Sequence, residues 1–305
     1  LVNFLVRRVM TGALTLLGVT FLVFGLSRIQ GDPRSVLISD DASIDQWQEM
    51  GKQLGLDQPV YKQYMIYVVN LVQGDLGTST LQKKPVAGIL LERGWNSALL
   101  AVTAFSLTIL IGVPLGVLSA AKTGGISDYV IRMFAVLGQA LPSYWVGLLL
   151  ILSFAVGPDW LPAARKSDWT SLILPTLALG WLGVSGQIRI VRSSMLDILD
   201  SEYVRLARAK GVTERAIIWK HVLRNAIVSP VTFASLTFAS MLTGSIVVET
   251  VFAWPGLGLL SVNALNNSDY TILQGVIMLA ALVYVLFSFV TDVVYTMIDP
   301  RIRIQ

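Results

Sequence analysis

The sequence contains no cysteine and a single histidine, His221. The first absence excludes disulfide bonds, thiolate metal sites and cysteine nucleophiles. One histidine argues against a histidine metal site or a catalytic triad. The chain also has no HExxH, GxSxG or GxxxxGK[ST] motif placed for metal, acyl or phosphate chemistry. We therefore expect no catalytic residue, no metal site and no cofactor bound by this chain.

Charged residues are also scarce. They make up 14% of the 305 residues, whereas 54% are hydrophobic and the mean hydropathy is +0.67. A soluble domain usually has about 25% charged residues, so the balance indicates a membrane protein. Six uncharged stretches each approach or exceed the ~20 apolar residues that a spanning helix needs. They are Val9–Ser27, Asn96–Ala121, Met133–Pro158, Trp169–Ile188, Asn225–Val248 and Tyr270–Thr291.

Lysine and arginine set the expected orientation, because cytoplasmic segments carry an excess of both. With the N-terminus inside, most of the lysines and arginines fall on the cytoplasmic side. In the short outer loops, only Arg165 and Lys166 count against this orientation. We predict an all-α polytopic membrane protein with six transmembrane helices and both termini in the cytoplasm. Its parts are an N-terminal segment with the first helix (1–29), an external soluble insertion (30–95) and a core of helices two to six (96–305), which includes a cytoplasmic loop (193–228).

The external insertion is predicted to form two helices that separate at "GLDQP". Apolar residues of the second helix recur at helical spacing, namely Val60, Tyr64, Tyr67, Val68 and Leu71. We interpret the insertion as a small helical lid that packs on the membrane domain.

The excess positive charge is concentrated in "SEYVRLARAKGVTERAIIWKHVLRN", Ser201–Asn225, between the fourth and fifth windows. Asp200 or Ser201 can cap a first helix, Gly211 can end it in the left-handed conformation, and Thr213 can cap a second. Three interpretations are open from the residues: an amphipathic helix on anionic lipid, ordinary positive-inside charge, or a segment that docks into a soluble partner. The alanines and Gly211 favour docking, because small side chains let helices approach closely.

Segments along nearly the whole chain resemble the permeases of binding-protein-dependent ABC importers. "RLARAKG" (Arg205–Gly211), followed after nine residues by "HVLR" (His221–Arg224), resembles the EAA loop of that family. Arg205 and Leu206 replace the Glu-Ala of the general motif and Arg224 replaces its proline, as in the dipeptide/oligopeptide branch. The segments "GDP", "LGLDQPVYKQY", "GDLGTS", "LPSYWVGLLLI", "VVETVFAWPGLG" and "DPRIR" resemble the first permease subunit of that branch.

The resemblance implies a type I ABC importer permease fold and a division of labour among chains. A second homologous permease would complete the channel. Two cytoplasmic ATPases would bind ATP and Mg²⁺ and dock on the EAA-like loop. An external solute-binding protein would deliver the cargo to the permease, which would span the lipid bilayer of a prokaryotic inner membrane. Within the branch the cargo ranges over dipeptides, longer peptides, glutathione, nickel chelates and sugars, and we expect di- or oligopeptides; no nucleic acid is expected as a partner. The implied contacts to the ATPase are Tyr203, Arg205, Leu206, Ala207, Arg208, Lys210, Gly211, His221 and Arg224.

Small, polar or helix-kinking residues in or next to the uncharged stretches are candidates for a pathway or gate. They are Thr243, Gly244, Ser245, Glu249 and Pro142. An acid at the membrane edge is a functional-site hypothesis. Glu249 could pair with Arg28 or Arg93, contact the binding protein, or be an interfacial acid with access to water. The small polar residues either line the pathway or allow close helix packing, and we prefer packing.

Three more residues near the membrane edges have structural interpretations. Phe252 and Trp254 are expected in an aromatic belt at the interface. Asp292 is expected to pair with Arg189 or Arg192 rather than to relay protons.

The competing function is a secondary transporter or channel. Ion-coupled transport needs ionisable residues in mid-membrane, but the middles of the six windows have none, and no inverted repeat is visible. An intramembrane enzyme would lack its nucleophile and its histidine. We therefore expect a non-enzymatic permease subunit of an ATP-driven importer.

Overall fold

The computed structural model describes residues 2–29, 34, 43–53 and 55–298. Most of these residues lie in helices, which confirms the all-α prediction. Four helices are long and apolar enough to cross a membrane, and each of two bent helix pairs qualifies as a further span. Four of the six predicted windows thus lie in continuous helices, and the other two overlap the bent pairs.

The helices of the described residues are numbered in chain order. They are α1 (Val2–Ile29), α2 (Ile44–Gln53), α3 (Val60–Val72), α4 (Val86–Ala121), α5 (Ile126–Ala140), α6 (Ser143–Val156), α7 (Ile173–Leu199), α8 (Glu202–Ala209), α9 (Glu214–Ala226), α10 (Val228–Gly244), α11 (Ile246–Val251), α12 (Leu257–Asn266) and α13 (Tyr270–Ile298). The chain forms two compact units, Leu1–Trp95 with Leu260–Val290 and Asn96–Leu259 with Thr291–Gln305.

The third predicted span, Met133–Pro158, is broken rather than continuous, and the fifth, Asn225–Val248, begins at a bend. α5 and α6 meet at 103°, and α9 and α10 meet at 59°. At the first break Leu141 leaves the helical region, with φ −94° and ψ 122°, directly before Pro142. A proline disfavours helical backbone in the residue before it and lacks the N–H that would continue the helix. The expected kink at Pro142 is therefore a complete change of direction.

The other two window prolines have milder consequences. Pro114 lies inside α4, which continues to Ala121. Pro175 is the third residue of α7, and in the first turn of a helix the missing N–H has no intrahelical partner to lose. Only one of the three prolines therefore breaks its span.

A buried carboxylate, Asp128, ties three helices of the second unit together. Its oxygens accept hydrogen bonds from Ser119 Oγ of α4 (2.6 Å), from the N–H of Gly124 (3.0 Å) and from Arg192 Nε of α7 (2.9 Å). Arg132 Nε, also on α5, lies 3.4 Å from Asp128 Oδ1. The predicted pairing of Asp292 with Arg189 or Arg192 concerns a side chain that lies outside the described part of the chain.

In the first unit the loop before α4 is fixed to the start of α13. The Asp269 side chain, 1% exposed, accepts hydrogen bonds from Ser79 Oγ (2.5 Å) and from the N–H of Leu81 (3.3 Å). Thr78 and Pro85 form an isolated antiparallel bridge that closes this loop. Ser79 is buried as a result, although it belongs to a polar loop.

Removing the Asp128 carboxylate should destabilise the protein strongly. Asp128→Ala leaves the Arg192 guanidinium, whose side chain is 20% exposed, without its carboxylate partner. Breaking a buried ion pair from one side costs about 3 kcal/mol or more. We expect a clear fall in the thermal unfolding temperature of the purified protein in detergent.

Glu202→Ala is the matched control, because the Glu202–Arg205 pair is 89% and 64% exposed. We expect a change within about 0.5 kcal/mol for this variant. Equal unfolding temperatures for Asp128→Ala and the unmodified chain would show that the Asp128 network does not hold the three helices.

Candidate functional site

The charged hairpin, Ser201–Asn225, has the two predicted helices and the predicted glycine turn. Gly211 has a φ of +76°, its N–H donates to the carbonyl of Arg208 (2.9 Å), and the N–H of Val212 donates to that of Ala207 (3.2 Å). This pair of bonds is the Schellman end of α8. No atom lies within 4 Å of the place a Cβ would take at Gly211. The glycine is therefore needed for its backbone conformation and not for space.

The N-terminal cap of α8 differs from the prediction. Ser201 occupies the cap position, but its hydroxyl donates back to the carbonyl of Ile198 (2.5 Å) and makes no bond to the helix. Thr213 likewise precedes α9 without a side-chain cap bond. Both helices thus begin where predicted, while their stability comes from packing.

One face of the charged hairpin is buried in the permease itself. Val204, Ile217 and Val222 are each 0% exposed. They pack in one cluster with residues near the ends of α4 and α7, among them Val117, Ala120, Val191 and Met195. Fully burying an aliphatic side chain contributes about 1.5–3 kcal/mol, so the hairpin is held firmly to both helices.

The opposite face is exposed. Tyr203 and Leu206 are 42% and 57% exposed, and the side chains of Arg205, Arg208, Lys210 and Arg224 are exposed as well. Arg208 makes a two-pronged bond to Glu214 across the turn, with Nε–Oε1 at 2.8 Å and Nη2–Oε2 at 3.4 Å. Both partners are exposed, so the pair adds little stability, but its geometry links the two helices.

A second link joins the start of α8 to the end of α9. The carbonyl of His221 accepts from Tyr203 OH (3.3 Å) and from Asn225 Nδ2 (2.7 Å), and the same amide donates to Tyr203 OH (3.1 Å). The structure therefore brings the predicted coupling residues together in one hairpin. Asn225 was not predicted, and its position just after the motif gave no signal beyond its polarity.

The buried anchors were also missed. Tyr203 and Leu206, predicted as contacts to the ATPase, are exposed, whereas Val204, which was not predicted, packs on the permease. The available signal was the i, i+3 spacing of Val204 and Ala207 on the face that lacks charge. On α9 the corresponding signal was the apolar run at Ile217, Ile218 and Val222.

Glu249, which lies in α11, forms a second candidate site beside the turn to α12. Its side chain is 0% exposed. Oε1 accepts from Ser97 Oγ (2.7 Å) and Ser245 Oγ (2.6 Å), and Oε2 accepts from the N–H groups of Gly258 (2.7 Å) and Leu259 (3.2 Å). The expectation of an interfacial acid open to water is wrong. Hydroxyl and amide groups take the place of the expected arginine partner.

Glu249 acts as a cap for α12. The first N–H groups of a helix have no intrahelical acceptor, and the positive end of the helix dipole favours an anion there. Ser97 Oγ completes the cap by accepting from the N–H of Leu257 (2.8 Å). A Cβ at Gly256 would collide with both the Glu249 carboxylate and the Ser97 hydroxyl, so glycine is required there by close approach.

The aromatic residues of this turn are buried, which contradicts the expected aromatic belt. Phe252 and Trp254 are each 1% exposed and belong to a core cluster with Leu100 and Leu174. Trp254 Nε1 donates to the carbonyl of Asn96 (3.0 Å). A belt residue keeps its polar edge near water, whereas here both the ring and its N–H are used inside the protein.

The remaining pathway candidates lie at helix breaks. Ser245, 3% exposed, sits between α10 and α11 and donates to Glu249. Thr243 and Gly244 are the last two residues of α10, and the surroundings of both lie outside what the structure describes. Pro142 is exposed at the separate bend between α5 and α6. Among the candidates whose side chains the structure describes, Ser245 and Glu249 are in direct contact.

Both sites are suited to positioning helices. Among the described residues, no group of three or more His, Cys, Asp or Glu side chains is arranged as metal ligands would be. The charged hairpin offers an exposed face on a fixed base, and the Glu249 turn is held by bonds to its own helices.

Two family models together cover nearly the whole chain. The model described as "binding-protein-dependent transport system inner membrane component" matches residues 112–304. The N-terminal model for the membrane component of the same transport systems matches residues 1–111.

Individual proteins agree with this result. The glutathione transport system permease protein GsiC of Escherichia coli (strain K12) is 38% identical over 304 residues, which are 99% of each chain. GsiC of Salmonella choleraesuis (strain SC-B67) has the same identity and coverage.

A solved structure of the MetNI methionine ABC transporter, in an inward-facing conformation, contains a chain with the same fold. The TM-score is 0.57 at 19% identity, with 69% of this chain and 96% of that chain covered. The predicted permease fold is thereby confirmed. The chain belongs to the family of binding-protein-dependent transport system inner membrane components, and it is a non-enzymatic, multi-pass permease subunit of an ATP-driven importer that works with separate ATPase and binding-protein partners.

Proposed function

We propose that this permease imports di- or oligopeptides and forms half of the translocation pathway, with a second homologous permease as the other half. The cargo class is supported by the 38% identity to permeases named for glutathione transport over 99% of both chains, because glutathione is itself a short peptide. Two cytoplasmic ATPase chains and an external solute-binding protein complete the assembly. The inner membrane of a prokaryote is the location that this assembly requires.

The charged hairpin is the proposed coupling element. The proposal rests on the burial of one face of the hairpin in the permease and the exposure of the other face. Tyr203 and Leu206 on the exposed face would contact the ATPase, together with Ala207 and the surrounding cations. Val204, on the other face, is 0% exposed and packed against the ends of α4 and α7. Movement of the ATPase would therefore be passed to two spanning helices rather than absorbed by a loose loop.

ATP and Mg²⁺ belong, in this proposal, to the ATPases and not to the permease. The chain has no glycine-rich phosphate loop with its lysine and hydroxyl. The permease contributes no cofactor site, and its part in energy use is mechanical.

Glu249 is proposed as a positioning residue of the outer side and not as a group that contacts cargo. Its four hydrogen bonds fix the start of α12 to α4 and α11. The turn Phe252–Gly258 would then present a rigid surface near the outer mouth of the pathway. Ser245 would act with Glu249, and Pro142 would set the direction of α6.

The proposed topology, with both termini inside, can be tested with single cysteines because the chain has none. Gln82→Cys and Ser167→Cys should react with a membrane-impermeant maleimide added to intact cells. Thr123→Cys and Thr213→Cys should react only after permeabilisation, since they lie on the cytoplasmic side. All four positions are exposed, and reaction of Thr213→Cys in intact cells would reverse the orientation.

Gly211→Val should uncouple the transporter without preventing its insertion. A β-branched residue at a φ of +76° costs roughly 1–2 kcal/mol, which would re-angle the hairpin and weaken ATPase docking about tenfold. We expect ATP-driven uptake to fall while the amount of permease in the membrane is unchanged.

Gly211→Asn is the matched control, because asparagine tolerates the left-handed conformation, and it should keep most of the uptake. Normal uptake by Gly211→Val would remove the coupling argument. Loss of Gly211→Val from the membrane would point to a folding role instead.

The cargo and the energy source are tested together by reconstitution. Liposomes that contain this chain, the second permease and both ATPases should take up a labelled short peptide only with the binding protein and ATP present. This chain alone should neither hydrolyse ATP nor transport. Proton-driven peptide uptake by this chain alone would favour a secondary transporter, and ATP-driven uptake of non-peptide cargo only would overturn the peptide assignment.

A further inference from the structure

The helix α3, predicted as part of an external soluble lid, packs directly against the spanning helix α1. Tyr64 OH lies 2.9 Å from Thr20 Oγ1. The Tyr64 ring contacts those of Phe21 and Phe24, with centroids 5.9 and 5.4 Å apart, and Tyr67 lies 5.8 Å from Phe24. One side of α3 therefore packs on α1.

These contacts place α3 beside the last turns of the membrane-spanning part of α1 and not beyond its end. The stretch of α1 that can cross a membrane is Val6–Leu26. Thr20 lies six residues before Leu26, which corresponds to about 9 Å along the helix axis. Interfacial helices bury their apolar faces about 5–10 Å into the boundary between headgroups and acyl chains. The depth of the Tyr64 contact matches that range.

The surface of α3 is divided into three arcs. At 100° per residue, the arc that holds Tyr64 and Tyr67 faces α1. A second arc is apolar and exposed, and consists of Tyr61 (67%), Met65 (61%), Val69 (50%) and Val72 (82%). The third arc contains the polar residues of the helix, Lys62, Gln63 and Asn70, with Ile66 among them.

We propose that α3 lies in the membrane interface beside α1, with the strip Tyr61, Met65 and Val69 in the acyl chains. The polar arc then faces headgroups and water, where the ammonium group of Lys62 can remain hydrated. Tyr64 and Tyr67 sit at the depth at which tyrosine is enriched in membrane proteins. The occupant of the exposed strip is thus lipid hydrocarbon.

Lipid fits this strip better than a protein partner does. The strip adjoins a helix that is long and apolar enough to cross a membrane and whose own apolar side chains are exposed, including Leu14 (71%), Leu17 (50%) and Phe21 (65%). A boundary between hydrocarbon and water also accounts for an apolar arc and a polar arc on the same helix. In this arrangement α3 anchors the segment between α1 and α4 to the membrane.

Spin labels on single cysteines can test the depth of each arc. Met65→Cys and Val69→Cys report on the strip, and Lys62→Cys and Asn70→Cys are matched controls on the polar arc of the same helix. The labelled permease is reconstituted into liposomes as the full complex, and co-elution with the partner subunits in size-exclusion chromatography confirms that each variant is assembled. Accessibility to oxygen, which concentrates in hydrocarbon, is compared with accessibility to a water-soluble nickel chelate.

We expect oxygen accessibility to exceed nickel accessibility at Met65→Cys and Val69→Cys, and the ratio to reverse at the two controls. High nickel accessibility at all four positions would overturn the proposal in favour of an aqueous lid. Low accessibility to both reagents on the strip would overturn it in favour of coverage by a second permease or a binding protein. The ratios are independent of the identity of the cargo, so this result and the proposed function can fail separately.

Discussion

The burial of three aliphatic side chains, Val204, Ile217 and Val222, is the interaction on which the proposed coupling role of this permease depends. A charged cytoplasmic segment can recruit an ATPase without being fixed to anything, but it can transmit movement only if its other face is part of the membrane domain. These side chains are 0% exposed and share one cluster with residues of α4 and α7. The hydrophobic effect thus fixes the hairpin, while its charges keep the other face in water.

Two buried carboxylates also hold helices together, through hydrogen bonds. Asp128 joins α4, α5 and α7, and Glu249 joins α4, α11 and α12. Each is 0% exposed and fully supplied with donors, which is the condition under which a buried charge is tolerated. Both bind to α4, so the longest helix of the permease is held near its middle and near its end.

Composition and charge-free windows were enough to predict the helical membrane fold, and the motif spacing was enough to predict the hairpin with Gly211 at its turn. The sequence could not reveal which acids are buried, because Asp128 and Glu249 find their partners on helices far away in the chain. It also did not reveal that Val204 packs on the permease, since an eight-residue helix has too few positions for periodicity to separate its two sides. Pro142 was recognised as a kink, but its size depends on the packing of α5 and α6 around it.

The central claim, that the hairpin works through its two faces, is tested most directly by comparing Val204→Ala with Leu206→Ala. ATP hydrolysis and peptide uptake are measured in the same liposomes with the complete transporter. Val204→Ala loosens the hairpin from α4 and α7, so the account predicts normal ATPase binding with less peptide transported per ATP. Leu206→Ala removes part of the exposed face, so it should weaken ATPase binding while the transport per ATP of the assembled complexes is kept. An unchanged ratio of uptake to hydrolysis in Val204→Ala, with ATPase binding lost instead, would contradict the account.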